Sequence, residues 1–344
     1  MKLSSTACVI AFLGFSFVSF QTVVAQESTY TFVSKNGTST ITGFSKGCEG
    51  ELTITNTLGN CTVTRIGDQA FCAYSKLTQV VIPDGIISIG GQAFQRCSSL
   101  TKVIIPNSVT SIGIAAFSEC RSLVSITIPK SVTNIGSLAF HDCSKLVGFN
   151  VEEDNPKYTS VDGVLLDKDK KMVIQCPNGK TGDYIIPNSV KNISEGAFRN
   201  CSGLTSVTIP DSVTNISEAA FQNCNRLTSI IIPNSVNIIE KAVFAGCNQL
   251  NQVTIPDCVT RIRTFAFQFC SGLNDVIIPS SVTQIEPYAF SACRGLNSIY
   301  FKGDAPEISE GLETFSASAI IYYLPDKKGW GGTFNHRPTK TWKQ

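Results

Sequence analysis

Residues 204–226 read LTSVTIPDSVTNISEAAFQNCNR, and this 23-residue pattern recurs with small changes from Leu77 to Leu296. A proline column and a leucine column keep the same step as the phenylalanine column. The phenylalanine positions are Phe71, Phe94, Phe117, Phe140, Phe198, Phe221, Phe244, Phe267 and Phe290. Columns that stay in register over nine units indicate an internal repeat, and a repeat of this length is typical of a solenoid.

Each unit combines a short strand with a turn and a second apolar segment. Val207 and Ile209 carry apolar side chains at the alternating spacing of a half-buried strand. Pro210 ends that strand because it has no N–H to donate to a neighbour. Residues 218–223 are better helix formers, so we predict one short helical turn that points Phe221 inward.

One unit alone cannot bury its apolar side, but stacking turns each column into a continuous ladder inside the molecule. A fully buried phenylalanine contributes about 1.5–3 kcal/mol, so a column of such rings is a large source of stability. The columns therefore predict a mainly β solenoid of 23-residue repeats, with short helical turns and a cap at each end.

The repeat step fails between Leu146 and Tyr184. Val164–Leu166 and Met172–Ile174 are apolar runs separated by a charged turn, a pattern that predicts a β-hairpin insertion. The hairpin either projects from one coil or widens it. We interpret it as a surface elaboration, and a recognition loop is the functional alternative.

The N-terminus has the features of a secretory signal peptide. Lys2 is followed by an apolar run over 7–20, and small residues lead up to Ala25, after which we expect cleavage. The run is shorter than the roughly 20 residues that a membrane-spanning helix needs. We therefore expect a secreted, extracellular or cell-surface protein with no membrane insertion after cleavage.

These features divide the chain into six segments. In order they are a signal peptide (1–25), an N-terminal cap (26–65), repeats (66–146), an irregular repeat with the β-hairpin insertion (147–182), further repeats (183–300) and a C-terminal cap (301–344). Terminal coils must cover an otherwise open core. We interpret the large apolar side chains of the last segment as capping contacts, with a sugar-binding platform as the alternative. They are Tyr322, Tyr323, Leu324, Trp330 and Phe334.

The pattern LTSVTIPDSVTNISEAAFQNC at 204–224 resembles the BspA-like, or Treponema pallidum type, class of leucine-rich repeats. The resemblance extends from Leu77 to Leu296 and implies a leucine-rich-repeat solenoid. It also implies a bacterial or parasite surface or secreted protein, with adhesion or host-protein binding as the usual proposal. The class carries no known catalytic site, and its ligands vary too much for binding residues to be transferred.

Eight cysteines form a column three residues after the phenylalanines. They are Cys97, Cys120, Cys143, Cys201, Cys224, Cys247, Cys270 and Cys293. Because the column faces inward, we interpret it as a stack of buried free thiols with weak S–H donors. Disulfides between adjacent coils are the alternative. Cys48 and Cys61 both lie in the N-terminal cap, and a disulfide between them is a further hypothesis for an exported protein.

The sequence offers no constellation for catalysis or metal binding, so we expect neither an enzyme nor a cofactor. The mature chain has two histidines, His141 and His336, at no recognisable ligand spacing, and it contains no CxxC pair. We interpret the acidic run 152–154 as a solvated loop in preference to a Ca²⁺ site. The net charge is only +2, so nucleic acid is not an expected partner.

In every coil the residue between the two inward strand positions points outward, and it is often isoleucine or threonine. Such residues favour strands, but an exposed apolar ribbon also marks partner sites. We therefore predict an adhesin-like module that binds a host or extracellular-matrix protein on this face. The predicted contact residues are Lys102, Ile104, Thr127, Thr208, Ile231, Thr254, Asp275 and Ile277. The alternatives are a structural component that self-associates and a carbohydrate-binding protein.

Overall fold

The computed structural model describes residues 22–24, 29–45, 48–309 and 312–343, with only the backbone of 22–24. Within this part the chain forms thirty β-strands and no α-helix. Two rows of strands run along the solenoid, which we name the long-strand face and the short-strand face.

The long-strand face has twelve rungs. They are β4 (Gly50–Thr53), β7 (Leu77–Val81), β9 (Lys102–Ile104), β11 (Ser125–Ile128), β13 (Gly148–Val151), β17 (Thr181–Ile185), β19 (Gly203–Thr208), β21 (Ser229–Ile231), β23 (Gln252–Thr254), β25 (Asp275–Ile278), β27 (Ser298–Phe301) and β28 (Ile320–Tyr323). Outside them β1 (Thr22–Val24) pairs with β4, and β30 (Arg337–Thr341) pairs with β28.

The short-strand face lies beside the long-strand face. Its strands are β3 (Thr38–Phe44), β6 (Cys61–Ile66), β8 (Ser88–Ile89), β10 (Ser111–Ile112), β12 (Asn134–Ile135), β16 (Met172–Gln175), β18 (Asn192–Ile193), β20 (Asn215–Ile216), β22 (Ile238–Ile239), β24 (Arg261–Ile262) and β26 (Gln284–Ile285). The remaining strands are β2 (Tyr30–Lys35), β5 (Thr57–Leu58), β14 (Tyr158–Val161), β15 (Val164–Asp167) and β29 (Thr333–Phe334).

Neighbouring rungs of the long-strand face lie parallel. Val80 lies opposite Val103, and Ile230 lies opposite Val253, so the repeat unit and the structural rung coincide. Backbone pairing on this face is interrupted between β9 and β11, between β19 and β21, and between β23 and β25, although these strands remain neighbours, and also between β13 and β17, where the insertion intervenes. The face is therefore a row of small sheets.

The nine repeat phenylalanines are buried and form two stacks inside the solenoid. From Phe71 to Phe140 the ring centroids are 5.1 to 5.5 Å apart and the planes are within 3° of parallel. From Phe198 to Phe290 the separations are 4.8 to 5.6 Å. The insertion separates the stacks, and there Phe140 meets the edge of Phe149 at 5.3 Å. The solenoid prediction is confirmed.

The predicted helical turn around Phe221 is wrong in detail. Ala219 and Asn223 have left-handed backbone, with φ of 54° and 59°. The N–H groups of these two residues and of Phe221 donate to carbonyls of the next coil at 2.8 to 2.9 Å. An α-helix directs its N–H groups back along its own axis. Here bonding between coils replaces bonding within a helix, and the same pair of left-handed residues recurs in the other repeats.

The β-hairpin insertion is confirmed, and it widens a coil. Strands β15 and β16 pair antiparallel, and β14 adds a third strand that the sequence did not predict. Strand β16 also pairs in parallel with β18, so the insertion is built into the short-strand face. Val164, Leu165 and Leu166 are fully buried. These contacts make the insertion part of the core.

Both ends of the solenoid are covered. At the N-terminal end β2 and β3 form a hairpin that buries Tyr30 and Ile41. Strands β4 and β6 are already rungs, so the coils begin inside the segment predicted as a cap. The predicted signal peptide lies outside the described residues except for β1, which falls within it.

At the C-terminal end Tyr323, Trp330 and Phe334 pack against the core, as capping residues should. Trp330 contacts the Phe301 ring at 4.8 Å, and it stacks on Tyr323 at 5.2 Å. Tyr322 points the other way, because alternate residues of a strand face opposite sides. Three of the five residues predicted to cap the solenoid therefore contact the core directly.

Candidate functional site

The outer side of the long-strand face carries all eight residues predicted to contact a partner, and all eight are exposed. The isoleucines are the informative members, since exposed threonines and charged residues are ordinary on a surface. Ile104, Ile231 and Ile277 are 41%, 69% and 47% exposed. Each directly follows a buried residue of its strand, namely Val103, Ile230 or Val276, so alternation along the strand directs its side chain outward.

One member of this column was missed in the sequence. Ile185 lies opposite Thr208 in the strand register, and it is 71% exposed. It occurs two residues before Pro187, as Ile231 occurs two residues before Pro233. The proline spacing was the available signal, but the insertion had broken the count of repeats at this point.

Two shallow clefts indent the C-terminal half of the long-strand face, and they share Asp275 and Ile277. The first, of about 390 Å³, lies over the interrupted pairing between β23 and β25 and includes Thr254 and Lys302. The second, of about 410 Å³, continues toward Trp342. Three of the eight predicted residues therefore line a concave part of the surface.

The charges in the first cleft are mixed. Asp257 and Asp275 bring two carboxylates, and Lys302 brings one ammonium group. Within the described part of the chain, the Asp275 carboxylate has no hydrogen-bond or ion-pair partner. An exposed apolar centre with unpaired charges beside it is the composition of a docking surface with a polar rim.

The cysteine column consists of free, buried thiols. In seven of the eight, the Sγ atom donates to the carbonyl of the phenylalanine one coil earlier, as from Cys224 to Phe198 at 3.2 Å. Cys201 follows the insertion, and its Sγ donates to the carbonyl of Cys176 at 3.8 Å. Burial raises the pKa of the Cys97 thiol to about 12. The thiols therefore fill the core and donate weak hydrogen bonds to turn carbonyls, which agrees with the interpretation from the sequence.

Cys48 is buried, and Cys61 is partly exposed. Cys48 lines a cleft of about 430 Å³ together with Cys72 and Tyr74. The disulfide between Cys48 and Cys61 remains a prediction.

The two histidines lie in different settings. Nε2 of His141 is 3.4 Å from a carboxylate oxygen of Asp142, and burial is the main cause that lowers the pKa of His141. His336 lies in the turn between β29 and β30. Among the residues with described positions, no three His, Cys, Asp or Glu side chains lie close enough to hold a metal ion. The described chain also contains no helix long and apolar enough to cross a membrane.

Comparisons with known proteins give the family. The BspA type leucine rich repeat region matches in six copies over residues 49–160 and 177–320, which is more than half of the chain. A leucine rich cell surface protein from Faecalibacterium prausnitzii A2-165 is 30% identical, with a TM-score of 0.56, over 81% of this chain and 95% of that one.

Two further solved structures share the fold. A leucine-rich repeat protein from Eubacterium ventriosum is 23% identical, with a TM-score of 0.63, over 85% of this chain and 93% of that one. The pneumococcal vaccine antigen PcpA is 20% identical, with a TM-score of 0.55, over 86% and 92%. No curated protein matches. By its repeats and its relatives, the chain belongs to the BspA-type leucine-rich-repeat family.

Proposed function

We propose that this protein is exported and binds a protein partner on the outer side of its long-strand face. The observation that carries the proposal is the row of exposed isoleucines on alternate rungs, Ile185 on β17, Ile231 on β21 and Ile277 on β25, with Ile104 on β9 before the insertion. Ile231 and Ile277 flank Thr254, and Ile185 extends the row toward the insertion. Binding, in preference to catalysis, is the activity that this arrangement supports.

Rigidity of the strands and burial of apolar area both favour binding on this face. Burial of one isoleucine side chain contributes about 1.5–3 kcal/mol, and strands held by a packed core lose little conformational entropy when a partner docks. The five rung spacings from β19 to β28 extend for about 24 Å at about 4.8 Å each. Strands of three to six residues are about 10–20 Å long, so this stretch offers roughly 240–480 Å². One side of a standard interface is about 800 Å², so a partner of standard size also covers rungs outside β19 to β28.

Export and a surface location are supported by two independent observations. The N-terminal sequence has the composition of a signal peptide. The Faecalibacterium protein, which is similar over most of its length, is described as a cell surface protein. We therefore place the proposed partner outside the cell, among host or extracellular-matrix proteins.

The test compares two triple variants with the wild-type protein. Ile104→Lys, Ile231→Lys and Ile277→Lys place charges on the proposed surface. Ile87→Lys, Ile114→Lys and Leu138→Lys are the matched control, because these side chains are 49%, 63% and 41% exposed elsewhere. All six side chains are exposed, so neither set replaces a core residue.

A partner is first captured from extracellular extract with immobilised mature protein and then purified, and its affinity is measured by interferometry. We expect the long-strand variant to bind at least about 100-fold more weakly, which corresponds to about 2.7 kcal/mol. The control variant should stay within about twofold. Equal affinity of all three proteins contradicts the proposal. Self-association is separated by light scattering, because it predicts a mass that grows with concentration and no captured partner.

A further inference from the structure

The second cleft of the long-strand face differs from the first because its walls are aromatic. It is lined by Asp275, Ile277, Tyr300, Tyr322, Trp342 and Lys343. Tyr300 and Tyr322 belong to neighbouring rungs and stack with ring centroids 4.9 Å apart. Trp342 contacts Tyr300 at 5.0 Å with the two planes inclined by 56°. All three rings are partly exposed.

Tyr300 lies between two neighbouring rungs. Tyr322 lies against one face of the Tyr300 ring, and the rung on the other side carries Ile277, which is about half exposed. Trp342 lines the same cleft as Ile277 and Tyr300, so a ligand bound there contacts all three side chains.

This group is distinct from the aromatic residues that close the solenoid. Tyr323, Trp330 and Phe334 pack against the core on the opposite side of β28. Their positions are explained by capping, but the positions of Tyr300, Tyr322 and Trp342 are not. Tyr300 and Tyr322 stabilise each other by stacking across neighbouring strands, and the exposed remainder of the three rings forms an apolar patch of the kind that often marks a binding site.

Polar groups surround these rings. Asp275, Thr341 and Lys343 line the cleft, and no described residue pairs with the Asp275 carboxylate or the Lys343 ammonium group. One negative and one positive charge balance, so the cleft favours neither an anion nor a cation. A few polar groups around apolar walls, in a volume of about 410 Å³, is the composition of a small-ligand site.

We propose that this cleft binds a neutral pyranose unit of a glycan. The C–H face of such a sugar ring is apolar and flat and packs on aromatic rings, while its hydroxyl groups need donors and acceptors at the edge. Asp275 accepts hydrogen bonds from hydroxyl groups, and Lys343 and Thr341 donate to them. The proposal does not depend on protein binding along the isoleucine row, because Ile104, Ile185 and Ile231 lie outside the cleft.

The probes are four neutral oligosaccharides, namely cellopentaose, laminaripentaose, mannopentaose and β-1,4-galactopentaose, with heparin fragments and polygalacturonate as anionic contrasts. Titration calorimetry gives the affinities. Trp330→Phe leaves Trp342 as the sole tryptophan, so its fluorescence reports directly on the cleft. We expect at least one neutral probe to bind with a Kd below about 1 mM and to change that fluorescence.

Trp342→Ala and Tyr300→Ala should each weaken this binding at least about tenfold. Phe269→Ala removes an aromatic ring that is 54% exposed elsewhere, and it should leave affinity unchanged. Ile231→Lys should also leave sugar binding intact, although it weakens the proposed protein contact. The proposal is overturned if no neutral probe binds, if only the anionic ones bind, or if both aromatic variants keep full affinity.

Discussion

Phe221 is the strongest test of the solenoid core. Its ring is completely buried between Phe198 and Phe244, with centroids at 4.8 and 5.6 Å. Phe221→Ala removes the ring and breaks the stack at its middle. Phe269→Ala removes the same side chain from a position that is 54% exposed in the next coil but one, so the two variants differ mainly in burial.

The expected cost of Phe221→Ala is about 3–5 kcal/mol of unfolding free energy, because the transfer of the ring and the remaining cavity both count. Aromatic stacking accounts for about 0.5–1.5 kcal/mol of this for each pair. Phe269→Ala should change stability by no more than about 0.5 kcal/mol. Urea unfolding followed by circular dichroism measures both. A loss under about 1 kcal/mol for Phe221→Ala, or equal losses for the two variants, refutes the stacked-core account.

Two further predictions concern buried groups. Burial raises the pKa of Cys97, Cys143 and Cys293 from 9.0 to about 12, so the folded protein keeps protons that the unfolded chain releases. The free energy of unfolding should therefore fall as pH rises from 9 toward 12, by roughly 1.4 kcal/mol per thiol and pH unit. Urea titrations at several pH values measure this decline, and Cys293→Ala should make it shallower. If the decline with pH is the same in the variant, the prediction is wrong. Asn155 is fully buried, and its side-chain Nδ2 donates hydrogen bonds to the carbonyls of Pro129 and Val132 at 2.7 and 2.9 Å. Asn155→Ala should cost about 2 kcal/mol or more by thermal unfolding, and a smaller loss would show that water replaces the amide.

The parts of the fold that sequence predicted are those that repeat. Phe221, Cys224 and Pro210 each recur at a fixed step, and a column that recurs must occupy the same place in every coil. The inward direction of Val207 and Ile209 followed from strand alternation alone. These inferences needed no long-range information, because each coil contacts only its neighbours.

The backbone conformation of the turn around each phenylalanine could not be predicted in the same way. Leu138, Ala219 and Phe265 all have left-handed backbone, although none of these residue types favours it. Local propensity predicted a helical turn for Ala219. The N–H groups of Ala219 and Phe265 bond to the next coil instead, so at these residues stacking stabilises a conformation that a single coil would not adopt.

The site was predicted only where the repeat was regular. Ile231 and Ile277 followed from the column, whereas Ile185 was missed beside the insertion. Trp342 was missed for a different reason. It contacts Tyr300 because β30 returns beside β28, and no sequence pattern specifies the return of a terminal segment. Only the three-dimensional structure therefore shows which aromatic residues of the tail cap the core and which line the cleft.

The same architecture separates stability from recognition. Inward columns are nearly uniform, since each side chain must match the one above and below it. The outward column instead holds Thr208, Ile231, Thr254, Ile277 and Tyr300 on successive rungs, although all five have equivalent backbone positions. A change at such a position alters the surface and leaves the stack intact. Differences in binding specificity within this family should therefore concentrate in the outward column, where a change of side chain costs the fold little.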